Sequence, residues 1–244
     1  MDVHSGVAHV LKSQNDDQAK RQNATETRTD LKLLLECLNC HMNDATVQRD
    51  SLLTIAAMCS GSEEAQEIFR ESGGINFVLN LLTSVEDAVR IAALYMLGCA
   101  CEKNVFSQKR LCTKAIFKFL YCQLTSSDTD NSLKRIAAFL ILCLVTNNGE
   151  GQNLARTSKC LEAILKMFRT SHPFADCSRL PGQMWLETHT NNAQLELWTS
   201  ITSTLCGCVN NPQNDENQQL CASAFPTAVT LLSKTKNPRI IRLL

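Results

Sequence analysis

One short stretch of the chain has cysteine and histidine residues at a spacing that could hold a cofactor. Cys37, Cys40 and His41 lie in the string CLNCH, which is the spacing of covalent attachment of a c-type haem. The string ends a leucine-rich helical pattern, however, and no secretory signal precedes it. Residues three apart share a helical face, so Cys37 and Cys40 are interpreted as packing residues, and neither haem nor metal is expected there.

The other cysteines and histidines form weaker patterns. Cys177 lies between His172 and His189, which places three possible zinc ligands on one predicted loop, but no metal-site spacing accompanies them. Two further cysteine pairs are two residues apart, so their members diverge by about 200° on a helix and cannot hold one ion together. These pairs are Cys99 with Cys101 and Cys206 with Cys208. We therefore predict no metal site, and we expect the 13 cysteines to be mostly buried, reduced thiols.

No motif in the sequence supports catalysis. The chain has no serine or cysteine nucleophile motif, no phosphate-binding glycine loop and no HExxH string. Its carboxylates fall singly on polar faces. We therefore expect no enzymatic activity, no cofactor and no small-molecule substrate.

The densest basic cluster in the chain could contact nucleic acid. Lys109, Arg110, Lys114 and Lys118 lie close together in the sequence. The 24 basic residues of the chain are balanced by 24 acidic ones, so the whole chain has no bulk attraction to phosphate. A run of charge usually forms a solvated face, and no aromatic stripe alternates with these residues. Direct DNA binding is therefore not expected, and a nucleic-acid-contacting solenoid that uses this cluster is the alternative function.

The elements that position these residues are predicted to be helices. Only 9 glycines and 5 prolines occur in 244 residues, too few for many short strands, and leucine and alanine dominate the apolar blocks. The longest clean apolar run, residues 136–145, is about half of the roughly 20 residues that span a bilayer. We therefore predict an all-α chain with no membrane-inserted segment.

A block of sequence recurs about every 42 to 45 residues. The string AVRIAALYMLGCA, starting at Ala88, matches SLKRIAAFLILCL at an offset of 45 and TVQRDSLLTIAAM at an offset of 42, and ELWTSITSTLCGCVNN supplies a fourth copy. A second amphipathic helix follows each block, and such helices bury their apolar faces against neighbouring repeats. The predicted organisation is a flexible tail at 1–26, then a repeat domain at 27–244 with an N-terminal helix, repeats at about 45–84, 85–128, 129–170 and 191–237, an insertion at 171–190 and an incomplete next repeat at 238–244.

The last helix of the first repeat begins with a recognisable string. In GGINFVLNLL the pair Gly73 and Gly74 precedes an apolar helix, and this string resembles the start of the third helix of armadillo repeats. The resemblance implies an armadillo-like, right-handed superhelical solenoid that binds other proteins in a groove lined by its third helices. The slots beside the apolar stripe are occupied in successive repeats by Asn76, Phe117 and Glu162, and one turn later by Asn80, Tyr121 and Lys166.

Two of these residues suggest a binding hot spot. Phe117 and Tyr121 lie four residues apart on one helical face and would present an aromatic pair framed by amide and charged groups. The alternative is that both rings pack against the adjoining repeat. Lys118 beside them, and Trp185 in the insertion, complete the candidate protein-binding residues. Trp185 is predicted either to fold back onto the solenoid or to anchor a partner.

Four longer strings carry a closer resemblance. They are RTDLKLLLECL at Arg28, LYMLGCACEKNV at Leu94, LVTNN at Leu144 and CVNNPQNDENQ at Cys208, and they are similar to the amino-terminal armadillo domain of a family of meiotic telomere bouquet-formation proteins. The resemblance implies a scaffold in the nucleus, at telomeres and at the inner nuclear membrane. The alternatives are a generic armadillo adaptor and the nucleic-acid-contacting solenoid. The implied partners are bouquet-formation partner proteins, a shelterin telomeric repeat-binding factor and the SUN-domain bridge of the nuclear envelope. The family's shelterin-binding, partner-binding and Myb-like segments have no match in this chain, so their activities are not assigned to its residues.

Overall fold

The computed structural model describes residues 3–172, 192–234 and 238–242. Across these ranges all regular structure is helical, which confirms the predicted all-α class. Within them, no helix combines the length and apolar character that crossing a membrane requires. The helices are Val3–Cys40 (α1), Ala45–Cys59 (α2), Glu63–Glu71 (α3), Gly74–Leu81 (α4), Asp87–Cys101 (α5), Val105–Leu111 (α6), Lys114–Thr125 (α7), Asn131–Val145 (α8), Gly149–Thr157 (α9), Cys160–Thr170 (α10), Asn192–Val209 (α11), Asp215–Ala222 (α12), Phe225–Lys234 (α13) and Pro238–Ile241 (α14).

The chain divides into two compact units, residues 1–100 and residues 101–244. The first unit contains α1 to α4 and all of α5 except Cys101, and the second contains α6 to α14. By order along the chain, the helices after α1 form four groups of three. Each group has a first, a second and a third helix, and α14 follows the last group.

The first helix is longer than the sequence analysis predicts. α1 begins at Val3, whereas a flexible tail is expected as far as residue 26. This stretch contains no proline and a single glycine, so nothing in it interrupts the helical hydrogen bonds. Leu31 and Leu38 are fully buried where α1 packs against α2 and α3. The helical backbone of α1 therefore begins well before Leu31, where the helix packs against α2 and α3.

The central helix of the second unit is α8, which packs against α7, α9 and α11. It begins at a side-chain cap, in which Asp130 Oδ1 accepts a hydrogen bond from the Leu133 N–H at 2.7 Å. It contains neither glycine nor proline, and most of its circumference is apolar. Its buried residues are Leu133, Ile136, Ala137, Ala138, Leu140, Ile141, Cys143, Leu144 and Val145. The longest apolar run of the sequence is therefore a core helix.

Side-chain caps set the start of each second helix. The capping residues are Ser62 before α3, Asn104 before α6, Asn148 before α9 and Asn214 before α12. In each case the side-chain oxygen accepts a hydrogen bond from the backbone N–H three residues later. These caps give the repeats a common register from which other positions can be counted.

A close approach between α8 and α9 depends on one glycine. A Cβ atom added to Gly151 would lie 2.2 Å from the Leu144 carbonyl oxygen, whereas one added to Gly149 would have as its nearest neighbour Asn211 Nδ2 at 3.6 Å. We expect Gly151→Ala to lower the free energy of unfolding by about 2 kcal/mol, because α9 must shift away from α8. Gly149→Ala, on the same helix, is the control and should change it by less than about 0.5 kcal/mol. Urea denaturation followed by circular dichroism measures both, and equal effects would contradict the close contact.

A buried glutamine joins consecutive repeats. It stands four residues after the second-helix cap, as Gln66, Gln108 and Gln152. The Nε2 atoms donate hydrogen bonds to Cys99 O at 2.8 Å, Cys143 O at 2.8 Å and Gly207 O at 2.9 Å, respectively. Each acceptor lies two positions before the end of the next first helix, which is α5, α8 or α11. Because the last carbonyls of a helix have no partner within it, the glutamine satisfies one of them in the core.

The fourth copy of this glutamine is in a different environment. Gln218 is exposed, and its Nε2 donates to Val209 O and Asn211 O at 3.2 Å, both within its own repeat. In the same repeat α13 exposes Phe225 and Val229, at 69% and 63% of their full surface. The last described repeat therefore presents a glutamine and apolar side chains to solvent.

Candidate protein-binding surface

The buried stripe of each third helix can be located by counting from the second-helix caps. Thirteen residues after Ser62, Asn104 and Asn148 come Ile75, Phe117 and Leu161, and all three are buried. The three positions are therefore equivalent. Phe117 is the counterpart of two core residues and belongs to the stripe, not to the slot beside it.

The structure corrects the predicted aromatic pair. Phe117 has 0% of its surface exposed, and Tyr121 is half-buried. The expectation that both rings are presented to a partner is wrong for Phe117. Its ring packs in the core, as the alternative interpretation has it.

The correction has a physical origin in how the repeats align. The shared string RIAA aligns the second and third repeats at an offset of 45, but their helix ends align at 44. α5 and α8 end at Cys101 and Val145, and the caps Asn104 and Asn148 follow at the same offset. Burial decides the register, because a residue's position along a helix sets the face on which its side chain lies. A shift of one residue moves Phe117 from the exposed slot to the core.

The exposed slots directly follow the buried ones. They are Asn76, Lys118 and Glu162, and one turn later Asn80, Cys122 and Lys166, and all six side chains are exposed. Cys122 takes the place that the sequence analysis gave to Tyr121. The constant spacing of thirteen residues, from the cap of the second helix to the buried residue of the third, is the sequence signal that identifies this register. Trp185 lies outside the described residues.

In the second unit, four exposed lysines lie on or immediately before α7 and α10. Lys114 and Lys118 lie one turn apart on α7, Lys159 immediately precedes α10, and Lys166 lies in its middle. All four are exposed, and together they are termed the lysine surface. α7 contains no acidic residue, and α10 contains one, Glu162. The lysine surface therefore carries a strong local positive charge on a chain whose formal net charge is zero.

The predicted nucleic-acid cluster divides between two helices. Lys109 and Arg110 lie in the last turn of α6, whereas Lys114 and Lys118 lie on α7. All four are exposed. Positive charge is favourable at a helix C-terminus, which gives Lys109 and Arg110 a structural reason to be basic. Lys114 and Lys118 have no such reason, because they lie at the start and in the first half of α7, away from its C-terminus.

A tightly packed layer supports the lysine surface. Cys160 Sγ donates a hydrogen bond to Phe117 O at 3.1 Å and so joins α10 to α7. On the same helix, the Phe168 ring stacks on Trp198 with ring centroids 5.5 Å apart, and Trp198 Nε1 donates to Phe168 O at 3.2 Å. The backbone that carries the lysines is thus fixed before a partner binds, which lowers the entropic cost of binding.

The described cysteines range from buried, protonated thiols to exposed ones. Burial, with a smaller effect of the Cys122 thiol, raises the pKa of Cys160 to about 12, and burial raises the pKa of Cys59 to about 12. A protonated thiol is neither a metal ligand nor a nucleophile, so these residues serve packing. Cys206 is exposed, contrary to the expectation of a buried thiol, and so is Cys40, which was interpreted as a packing residue.

The CLNCH string forms no cluster that could hold a metal ion. His41 Nδ1 lies 2.9 Å from Cys37 O and 3.7 Å from Cys37 Sγ. Within the described ranges, no three His, Cys, Asp or Glu side chains are grouped to hold a metal ion. Cys177 and His189 of the zinc hypothesis lie outside these ranges.

Comparison with known proteins places this fold among telomere-associated relatives. The chain is 42% identical over 227 residues to telomere repeats-binding bouquet formation protein 1 of Mus musculus, and 43% identical over 232 residues to that of Homo sapiens. The alignments cover 93% and 94% of this chain but 29% and 30% of the relatives, so the chain spans about 30% of their length. The resemblance predicted from the four strings is confirmed.

Solved structures and a sequence family agree on the architecture. An engineered protein superposes with a TM-score of 0.65 at 18% identity, covering 87% of this chain and 74% of its own. A computationally designed armadillo repeat protein for modular peptide recognition has a TM-score of 0.60 at 13% identity, covering 87% and 78%. Both likenesses confirm the predicted armadillo-type fold. Because residues 12–159 match the Neurobeachin/BDCP, DUF4704 alpha solenoid region, more than half of the sequence, the chain belongs to that alpha solenoid family.

Proposed function

We propose that this chain is a non-enzymatic protein-interaction module of a meiotic telomere complex. In this proposal the complex tethers telomeres to the inner nuclear membrane for chromosome movement and homologous pairing. The observation that carries it is an identity of 42–43%, over more than nine tenths of the chain, to proteins named for telomere-repeat binding and bouquet formation. The fold supports the proposal, because stacked helical repeats offer extended binding surfaces.

The exposed slots of the third helices supply the chemistry for binding protein. Asn76, Asn80, Lys118, Glu162 and Lys166 are all exposed, and they offer amide, ammonium and carboxylate groups. Such groups form hydrogen bonds and ion pairs with the backbone and side chains of another protein. We propose Asn76 and Asn80 as binding residues of the first unit, and Lys118, Glu162 and Lys166 as binding residues of the second.

The proposed partners of the complex are those that the sequence resemblance implies: bouquet-formation partner proteins, a shelterin telomeric repeat-binding factor and the SUN-domain bridge of the nuclear envelope. We propose that most of these contacts are made by segments of the relatives that this chain does not match. We propose that the chain lies in the nucleus, at telomeres and peripherally at the inner nuclear membrane of meiotic cells.

Affinity capture tests the proposed function. The chain is immobilised on beads and incubated with meiotic germ-cell extract at about 0.15 M salt, the physiological ionic strength. Retained proteins are then quantified by mass spectrometry. A designed armadillo repeat protein of the same fold is the control. We expect telomere and nuclear-envelope proteins to be enriched on this chain relative to the control. Equal recovery on both would contradict the proposal.

The exposed cluster of Lys109, Arg110, Lys114 and Lys118 supports the alternative function, contact with nucleic acid. Four phosphate contacts would make the affinity for duplex DNA fall roughly a hundredfold between about 50 and 200 mM salt. The protein-interaction proposal instead expects no measurable DNA binding near physiological salt. Fluorescence anisotropy with labelled duplex DNA distinguishes the two.

A further inference from the structure

The lysine surface has no electrostatic partner in the described part of the chain. Six arginines form ion pairs there, whereas none of Lys114, Lys118, Lys159 and Lys166 pairs with a described acidic residue. A charged residue that stabilises a fold usually does so by pairing with another charge or capping a helix end. Lys114, Lys118 and Lys166 do neither, and Lys159, at the N-cap position of α10, makes no side-chain capping hydrogen bond. Their charges are therefore available to a ligand.

Packing between α7 and α10 places Lys159 and Lys118 next to the same contact. The hydrogen bond from Cys160 Sγ to Phe117 O joins the residue after Lys159 to the residue before Lys118. The axes of packed helices lie about 8–10 Å apart, a distance that lysine side chains on both helices can bridge towards one ligand. Along α7, Lys114 and Lys118 are separated by about 6 Å of helix rise.

We propose that the lysine surface binds an extended, acidic segment of a partner protein. The inference rests on the proposed protein-interaction function and specifies the chemistry of the partner. Alternate side chains of an extended segment are about 7 Å apart, close to the spacing of Lys114 and Lys118. Acidic residues two or three positions apart can therefore reach lysines on α7 and α10 together. Cys122, exposed one turn after Lys118, lies beside the bound segment.

Glu162 favours a peptide over a nucleic acid. Its exposed carboxylate occupies the slot equivalent to Lys118 and lies between Lys159 and Lys166 in the sequence. A carboxylate there repels phosphate groups, but it can accept hydrogen bonds from the backbone N–H groups of a peptide. Of the aromatic residues of α7, Phe117 is buried and Phe119 and Tyr121 are half-buried, so none of them is a fully exposed ring on which bases could stack. A surface with both positive and negative groups is better suited to binding a peptide than a nucleic acid.

The test uses the whole chain and a defined probe. The probe is a fluorescein-labelled peptide of alternating aspartate and serine, twelve residues long, and its control has asparagine in place of aspartate. Fluorescence anisotropy at about 50 mM salt measures binding, a condition that leaves surface charges weakly screened. We expect the acidic peptide alone to bind. Equal binding of the asparagine peptide would overturn the proposal.

Matched variants locate the binding. Lys118→Glu with Lys166→Glu should weaken binding of the acidic peptide by at least about tenfold, the effect of 1.4 kcal/mol. Lys32→Glu with Lys103→Glu changes the net charge equally at two exposed lysines outside the lysine surface and outside the basic cluster, and should leave the affinity within about twofold of the unaltered chain. Circular dichroism melts confirm that both double variants fold. Equal weakening by the two pairs would overturn the proposal.

A thiol probe reports the position of the bound peptide directly. Saturating acidic peptide should slow the alkylation of Cys122 by N-ethylmaleimide, measured by peptide mass spectrometry, and should leave the exposed Cys40 unaffected. Unchanged Cys122 labelling would place the peptide elsewhere. Duplex DNA that protects Cys122, and competes with the peptide, would assign the surface to nucleic acid and overturn the proposal.

The capture experiment distinguishes a failure of this inference from a failure of the proposed function. If the chain captures telomere proteins from extract, and the Lys118→Glu, Lys166→Glu variant captures them equally, the function stands and the lysine surface is the wrong site. If neither chain captures them above the designed armadillo control, the proposed function itself fails. Capture that the variant loses supports both.

Discussion

Replacing Trp198 with alanine is expected to lower the free energy of unfolding by about 3–5 kcal/mol, the usual range for removing a large aromatic side chain from a core. Trp198 lies on α11 with 0% of its surface exposed, and its ring stacks on Phe168 of α10. Its Nε1 also donates to Phe168 O, so the change leaves a cavity and an unsatisfied carbonyl together. Urea denaturation followed by far-ultraviolet circular dichroism measures the effect without relying on tryptophan fluorescence.

Trp198→Phe separates the two contributions. The phenyl ring keeps much of the buried area and can still stack on Phe168, but it has no N–H to donate. We expect this variant to lose about 1–2 kcal/mol. If Trp198→Ala destabilised no more than Trp198→Phe, the junction of α10 and α11 would not be a packed part of the core.

Most helices and two of the third-helix stripes could be predicted from the sequence because they depend on local periodicity. The spacing places Ile75 with Val78, and Leu161 with Ile164, and all four are buried. Apolar residues three and four apart share a helical face whatever lies elsewhere in the chain. Local periodicity is therefore a sufficient guide where a helix has one apolar face.

α7 does not have a single apolar face, and there the register could not be read from periodicity. Ile116 and Phe119 are half-buried, whereas Phe117 and Leu120 are fully buried. With apolar residues on both sides of Phe117, the sequence does not select which of them faces the core. Contact with another repeat selects it, including the hydrogen bond from Cys160 to the Phe117 carbonyl.

The hydrogen bonds from glutamine side chains to the next repeat could not be predicted from the sequence for a different reason. Gln66, Gln108 and Gln152 recur at the offsets of the repeat, so a signal exists. Hydropathy assigns a glutamine to the solvent face, however, and its acceptor lies 33 to 55 residues away along the chain. Only the tertiary structure brings the side chain and the helix-end carbonyl together.

Replacing Gln152 with leucine is expected to lower the free energy of unfolding by about 3 kcal/mol. The side chain has 0% of its surface exposed, and its Nε2 donates to Gly207 O and to Asn210 Oδ1, both at 2.9 Å. Its Oε1 accepts a hydrogen bond from Asn214 Nδ2 at 3.0 Å. Leucine fills a similar volume, so the loss reports the polar groups left without partners. Urea denaturation followed by circular dichroism measures it.

Gln218→Leu is the matched control, because Gln218 occupies the same position in the last repeat. Its side chain is exposed, and water can replace the bonds that it makes within its own repeat. We expect a change of less than about 0.5 kcal/mol. Similar losses in the two variants would mean that glutamine acts through its own helix and not by joining repeats.

Hydrogen exchange shows where the Gln152→Leu variant is weakened. If the side chain joins α9 to α11, its loss should free the end of α11 and the start of α12, because Gly207, Asn210 and Asn214 all bond to it. We expect amide exchange to accelerate more in α11 and α12 than in α7, which makes no hydrogen bond to Gln152. Uniform acceleration across the second unit would instead indicate a general loss of stability. A local effect would identify the glutamine as the connection between these two repeats.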